Sequence, residues 1–128
     1  MSLIKKDLVE DTIGKIVQLG ATSFTPMITA RTESKNIHLS ASRIAKLVGE
    51  ATEQCCRADI MRINEILKLN EALAAGVSGV SYVFDISGKG IEHVEHDTRA
   101  ASNDEVHIYF GPEGGWTDEE LATFASAA

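Results

Sequence analysis

Helical and strand patterns take turns along this chain, and that alternation limits the folds open to it more than any other feature. Residues 6–19 (KDLVEDTIGKIVQL) place Leu8/Val9, Thr12/Ile13 and Ile16/Val17 at i, i+4 intervals, one apolar helix face with Glu10, Asp11 and Lys15 opposite. Gly20 follows as a C-terminal cap. Residues 22–29 (TSFTPMIT) are short and β-branched, which predicts a strand that Pro26 makes irregular or confines to an edge. A polar loop covers 30–38. Ser40 or Ser42 then caps a second helix to about Arg57, its apolar side being Ile44, Leu47, Val48, Ala51 and Cys55. Residues 62–69 fit either strand or helix, and Asn70 caps a short helix that Gly76 ends. Residues 80–86 (VSYVFDI) read as a buried strand, 87–90 (SGKG) as a turn and 106–110 (VHIYF) as the last strand. Thr117 and Glu120 form a capping box for a final helix. The chain therefore opens directly on a helix and predicts an α/β domain with a mainly parallel sheet flanked by helices.

A chain of 128 residues has room for one core, here assigned to residues 4–128. Its net charge of −7 argues against a free-standing nucleic-acid binder, which carries a basic excess, though a local basic patch remains compatible with it. No apolar run approaches the ~20 residues of a membrane span, and no signal peptide is visible, so no membrane partner and a cytoplasmic location are expected. Cys55 and Cys56 are adjacent on a helical pattern and read as small half-buried residues, since vicinal cysteines bridge only with strain. No second pair completes a zinc site, and His93 and His96 lack a third ligand, so no metal is expected. His107 reads as a packed or edge residue of the last strand.

The stretch FGPEGGWTDEEL, residues 110–121, concentrates the chemistry. A glycine-rich turn between a strand's carboxyl end and a helix start is where α/β folds bind ligands, because missing side chains let a ligand approach the backbone. It is not a phosphate loop: the GK[ST] ending is absent, and Pro112 removes an N–H that an anion nest uses. A ligand such as adenine or ribose, held by backbone groups against a glycine surface, suits it better. Glu113 can cap its own loop, accept hydrogen bonds from a ligand or act as a base, and Trp116 reads as a core residue. In EATEQCCR, residues 50–57, Glu53 and Arg57 are spaced for an i, i+4 ion pair, with Gln54 beside them. Arg31 follows the first strand, at the same end of the sheet as the glycine loop.

Three stretches taken together resemble one family. KIVQLGATSFTPMITAR, residues 15–31, is similar to a pattern of helix end, strand with T-P and terminal E-R; Lys15, Leu19, Gly20, Pro26 and Arg31 match, while Gln18, Ala21 and Ala30 depart from it. Ala51, Glu53, Gln54 and Arg57 match A-x-E-Q-x-x-R, and residues 110–120 match I-G-P-E-G-G-[FW]-[ST]-x-x-E with Phe110 in the first place. The family is the RsmE-type ribosomal RNA (uridine-N3) methyltransferases of the SPOUT superfamily. The resemblance implies a knotted α/β domain that binds S-adenosylmethionine, works as a homodimer and methylates N3 of a uridine of 16S ribosomal RNA in the small subunit. It implies cofactor binding by Phe110, Gly111, Pro112, Glu113, Gly114 and Gly115, and RNA or active-site roles for Arg31, Gln54 and Arg57. The family also carries an N-terminal PUA-like domain and a C-terminal segment with a second glycine loop that closes the knot. Neither is visible here, so the expectation is a partial methyltransferase domain with an incomplete knot. The competing reading is a non-catalytic nucleotide-binding or dimerisation fragment.

Overall fold

The computed structural model describes residues 1–33, 40–75, 79–88, 90 and 105–127. Helix α1 runs Lys6–Gln18, and of its candidate apolar positions Val9, Ile13 and Val17 are wholly buried while Leu8 stays exposed. Each side chain of that size contributes about 1.5–3 kcal/mol when removed from water. Helix α2, Ala41–Gln54, packs its Ile44, Val48 and Ala51 against α1, and the two share a core with Leu3, Phe24 and Met61. Ser40 holds the N-cap position of α2, although its side chain makes no capping bond there.

The two helices end alike. At α1, Gly20 lies at φ +91° and donates to Val17 O, while Ala21 N donates to Ile16 O. At α2, Cys56 donates to Glu53 O and Arg57 to Thr52 O. The left-handed position is Cys56, at φ +55°, where most helices carry glycine. The helix thus stops at Gln54 rather than near Arg57, because the chain turns left-handed there. Cys55 is half-buried at the cap and Cys56 is exposed, so only one of the cysteines packs as expected. Replacing Cys56 by glycine is expected to stabilise the protein by about 0.5–1 kcal/mol, since it relieves a left-handed backbone. A higher urea midpoint with an unchanged slope would show this; an unchanged midpoint would refute it.

Among the described residues all strand pairing is parallel. The expected strand over 22–29 breaks at Pro26 into β1 (Ser23–Phe24) and β2 (Met27–Ile28). The ambiguous stretch 62–69 resolves into β3 (Arg62–Ile63) and β4 (Leu67–Lys68), which pair with β1 and β2 respectively. Helix α3, Leu69–Ala75, begins one residue before Asn70, which is therefore not its cap. The Glu71 carboxylate accepts the Lys68 N–H at 2.8 Å in its place. Strands β5 (Val80–Phe84) and β6 (Val106–Phe110) pair in register, Val80 with Val106 and Phe84 with Phe110. Helix α4, Asp118–Ala127, starts on the expected capping box, with Thr117 N donating to Glu120 Oε2 and Glu120 N to Thr117 Oγ1. The expected helix end at Gly76, Lys89 of the turn, and His38, His93 and His96 lie outside the described residues.

The chain does not open on a helix. Residues 1–3 are extended and tie the strand pairs together: Met27 N donates to Met1 O, Leu3 N to Met27 O, and Ser2 N to Phe110 O, each at 2.8 Å. Nor are β5 and β6 buried on both faces. Val83 and Tyr109 pack toward α3 and α4 with Met27, Leu69, Ala72, Trp116 and Phe124. Phe84, Val106, Ile108 and Phe110 remain substantially exposed, and Phe84 stacks on Phe110 at 4.7 Å between ring centroids.

The Met1 amino group donates to Thr25 O at 3.0 Å, and burial lowers its pKa from 8.0 to about 5. A base whose folded pKa is depressed holds fewer protons folded than unfolded, so stability rises with pH between about 5 and 8. For a chain with this free amine, the penalty is fully present below that window, at roughly 4 kcal/mol, and vanishes above it. An NMR titration of the labelled amine should give a midpoint near 5, against the 8.0 of a solvated terminus.

Candidate functional site

Residues 111–117 join the carboxyl end of β6 to α4, and each glycine there has a definable job. A Cβ on Gly111 would sit 3.0 Å from the Trp116 ring, so the indole occupies the space that a side chain would take. Trp116 is buried, donates from Nε1 to Phe84 O at 2.9 Å and meets Phe124 edge-on at 4.9 Å. The expected core role of Trp116 is therefore what places Gly111 under a flat aromatic face. Gly115 lies at φ +71° and donates to Pro112 O at 2.9 Å, closing a turn that an L-residue would strain. A Cβ on Gly114 would be 3.4 Å from Arg31 Cδ.

Arg31 is the brace of this loop. Its Nη1 donates to Gly114 O at 2.7 Å and to Trp116 O at 3.0 Å, across more than eighty residues of sequence. The backbone beside it is fixed independently, because Ala30 N donates to Glu120 Oε1 at 2.8 Å. Glu120 thus caps α4 with one oxygen and holds the Arg31 loop with the other. A second anchor lies behind: the hydroxyls of Ser2, Thr29 and Thr32 form a buried triangle with edges of 2.8, 2.9 and 3.1 Å. Thr29 N also donates to Thr32 Oγ1, so the turn that carries Arg31 is bonded from within.

This bracing leaves a row of unused backbone donors. Among the described residues, the N–H groups of Gly111, Glu113 and Gly114 donate to nothing. Donors without partners, at the end of a parallel strand and beside a glycine surface, suit a ligand with oxygen or ring-nitrogen acceptors. The Glu113 side chain is exposed and makes no hydrogen bond among the described residues, so it does not cap its own loop. Phe110 is half-exposed and stacked on Phe84, while its carbonyl accepts from Ser2.

The other sequence-derived candidates lie in a separate network. Arg57 donates from Nη1 to Val17 O and Ala21 O, both at 2.8 Å, and so closes the last turn of α1. Its other nitrogens grip Asp59, with Nη2 2.6 Å from Oδ2. That hydrogen bond holds the Asp59 carboxyl below its ordinary range and raises the Arg57 guanidinium. The spacing that proposed a Glu53–Arg57 pair fails because Arg57 lies beyond the helix end. Gln54 is the last residue of α2, and its exposed side chain has no partner among the described residues. No hydrogen bond or ion pair among them joins Arg57 or Gln54 to Arg31 or the glycine loop. His107 is half-buried on β6, its Nε2 3.7 Å from Glu105. Among the described residues no cluster of three or more histidine, cysteine or acidic side chains could hold a metal.

Sequence reasoning missed the second partner of Glu120 and the hydroxyl triangle. The capping box marked Glu120 as a helix-start residue but carries no information about Ala30. Nothing local marks Ser2 as a neighbour of Thr29 and Thr32.

Comparison with known proteins identifies the family and the fold. A family model described as an RNA methyltransferase domain matches residues 1–128. Ribosomal RNA small subunit methyltransferase E of Rickettsia conorii is 29% identical over 126 residues, 98% of this chain and 50% of that protein. The crystal structure of ribosomal RNA small subunit methyltransferase E from Neisseria gonorrhoeae, bound to S-adenosylmethionine, superposes with a TM-score of 0.79 at 26% identity, covering 98% of this chain and 52% of that one. A Legionella pneumophila protein in complex with S-adenosylmethionine has a TM-score of 0.77 at 20% identity, covering 100% and 53%, a likeness of fold. The chain spans about half the length of the curated relative it matches.

Proposed function

The chain belongs to the RNA methyltransferase domain family, and from that premise we propose that it is the methyltransferase portion of a protein that methylates ribosomal RNA with S-adenosylmethionine. The observation that carries the reading is the loop at residues 110–115. Its unused N–H donors and glycine surface are held rigid by Arg31, in a chain whose whole length matches the family. The Rickettsia and Neisseria relatives are small-subunit ribosomal RNA methyltransferases, and the Neisseria protein binds S-adenosylmethionine. Their likeness supports a small-subunit ribosomal RNA substrate, and the resemblance carried by residues 51–57 and 110–120 extends it to a uridine N3 of 16S ribosomal RNA. A homodimer and a cytoplasmic location belong to the same reading. No described helix is long and apolar enough to cross a membrane, which is compatible with it.

The residues present fit such a cofactor. Gly111, Glu113 and Gly114 offer backbone donors, Gly111 offers a face backed by the Trp116 indole, and Pro112 restricts the loop. S-adenosylmethionine supplies an electrophilic methyl group when bound. Transfer of that kind needs little covalent assistance from the protein, so positioning carries most of the acceleration. A uridine N3 is protonated at neutral pH, so the site must also accept its proton. The target base must leave its stack, while cations hold the neighbouring phosphates. Arg31 is the candidate for that contact at the loop. Arg57 and Gln54, on the α1–α2 side, are RNA or active-site candidates without a contact to that loop among the described residues.

Calorimetric titration of the folded chain with S-adenosylmethionine tests the proposal. Saturable binding that Gly114→Val abolishes, with the fold intact by circular dichroism, is the expected result. A folded chain that takes no cofactor at millimolar concentration would instead fit a non-catalytic fragment.

A further inference from the structure

Residue 2 lies between two strands. The Ser2 N–H donates to the carbonyl of Phe110, the last residue of β6, and its neighbours Met1 and Leu3 exchange hydrogen bonds with Met27 of β2, each at 2.8 Å. Its side chain reaches a third place, the turn 29–32 that carries Arg31. There Ser2 Oγ lies 2.8 Å from Thr29 Oγ1 and 3.1 Å from Thr32 Oγ1, and the Thr29–Thr32 edge is 2.9 Å. All three residues are at most 4% exposed. We infer that Ser2, Thr29 and Thr32 are positioning residues of the ligand site. Their hydroxyl ring sets the gap between the end of β6, where the glycine loop begins, and the turn that presents Arg31. That the site takes S-adenosylmethionine rests on the proposed function; the ring and the segments it joins do not.

The protons show what the ring can do. Three edges need three donors, and each hydroxyl has one proton, so all three are hydrogen bonds only when donation runs one way round. Thr32 Oγ1 then accepts twice, from a ring neighbour and from the Thr29 N–H at 2.9 Å. Thr32 N also donates to Thr29 O at 3.2 Å, which closes the turn. No ring proton remains for a ligand, and the group is shut off from solvent, so its effect is on geometry. Three apolar side chains could fill the same space but would fix no direction, whereas a satisfied buried network has one arrangement. Removing one hydroxyl breaks two of the three edges at once.

The separation that the ring fixes is the one the Arg31 brace needs. Arg31 Nη1 reaches Gly114 O at 2.7 Å and Trp116 O at 3.0 Å only while turn and loop keep their spacing. Glu120 ties the same two segments at the far end of the loop, through Ala30 N and Thr117 N. Ser2 ties them at the near end, at Phe110, before the first glycine. With both ends held, the loop's unused N–H groups are in place before a ligand arrives, so binding need not order them.

Thr29→Val keeps the branched shape, removes one hydroxyl and leaves the backbone bonds of the turn, so it opens the ring alone. Hydrogen exchange of the Gly115 amide, bonded to Pro112 O, reports the loop without any cofactor. In Thr29→Val it should speed up about tenfold relative to the Val17 amide of α1, the equivalent of one lost hydrogen bond. Calorimetric affinity for S-adenosylmethionine should fall about tenfold, the lower end for losing an outer support of a ligand site. Thr29→Ser restores the hydroxyl and should return both readouts to the parent's values. Thr52→Val removes another buried hydroxyl, bonded to Val48 O within α2, and should lower stability without moving either readout. Should Thr29→Val fail to fold, Ser2→Ala opens the same ring from the strand side. Unchanged Gly115 exchange in the opened ring, or an equal change in Thr52→Val, would overturn the inference. A parent chain that takes no cofactor would remove the proposed function alone, and the exchange measurement would still decide the role of the ring.

Discussion

Trp116→Ala is expected to destabilise the protein by about 3–5 kcal/mol, the range for emptying a buried aromatic site. Three contacts disappear together: the Nε1 bond to Phe84 O, the edge-on packing with Phe124 and the cover over Gly111. The surroundings are poorly placed to collapse into the space, because Gly111 has no side chain and Phe84 is held by its strand. Trp116→Phe keeps most of the buried area and loses the indole N–H, so about 0.5–1.5 kcal/mol is expected. Urea unfolding followed by far-ultraviolet circular dichroism is the suitable measurement, since Trp116 is the chain's one tryptophan. A cost for Trp116→Ala below that of Trp116→Phe would contradict the packing described.

Glu120→Ala should cost roughly 2–4 kcal/mol, as charge-assisted bonds contribute about 1.5–3 kcal/mol each and share one carboxylate here. The two backbone donors released, Ala30 N and Thr117 N, lie in different elements. The variant therefore weakens the start of α4 and loosens the turn before Arg31 at once. Glu119 lies on the exposed face of the same helix turn, and Glu119→Ala should stay within about 0.5 kcal/mol of the parent. The proposed function adds a second readout. Cofactor affinity should fall with Glu120→Ala even at temperatures where the chain remains folded, because Arg31 loses its fixed backbone. Equal stability losses for the two glutamate variants would show that the Ala30 contact contributes nothing.

Legibility in the sequence followed the range of the interactions. Helix α1 was readable because Val9, Ile13 and Val17 recur at the helix period, and its end because Gly20 follows directly. The start of α4 was readable because Thr117 and Glu120 bond to each other's backbone. The end of α2 departs from its sequence pattern because Cys56 adopts a conformation that its residue type disfavours, a choice the surrounding fold imposes. Likewise 62–69 stayed ambiguous because its two short strands take their shape from β1 and β2, which precede them by almost forty residues.

The candidate site divides in the same way. The glycine loop stood out from composition alone, since only a tight turn or a close approach makes that cluster of glycines worth its entropy cost. What the glycines accommodate was decided elsewhere, by an indole that reaches back to β5 and an arginine that arrives from the first βα connection. The resemblance gave Arg57 and Arg31 the same candidate role, and their acceptors distinguish them: the Val17 and Ala21 carbonyls at the end of α1 for one, loop carbonyls for the other.

By itself the sequence determined most element types, the parallel α/β class and the place of the glycine loop, because periodicity, capping and glycine content act within a few residues. The tertiary structure alone decided which face of β5 and β6 is covered, and it joined Ser2, Thr29 and Thr32. It also set Arg31 and Glu120 as the two supports of residues 110–115. Those contacts connect segments from 27 to 90 residues apart, and no local pattern encodes the partner of a side chain across that distance.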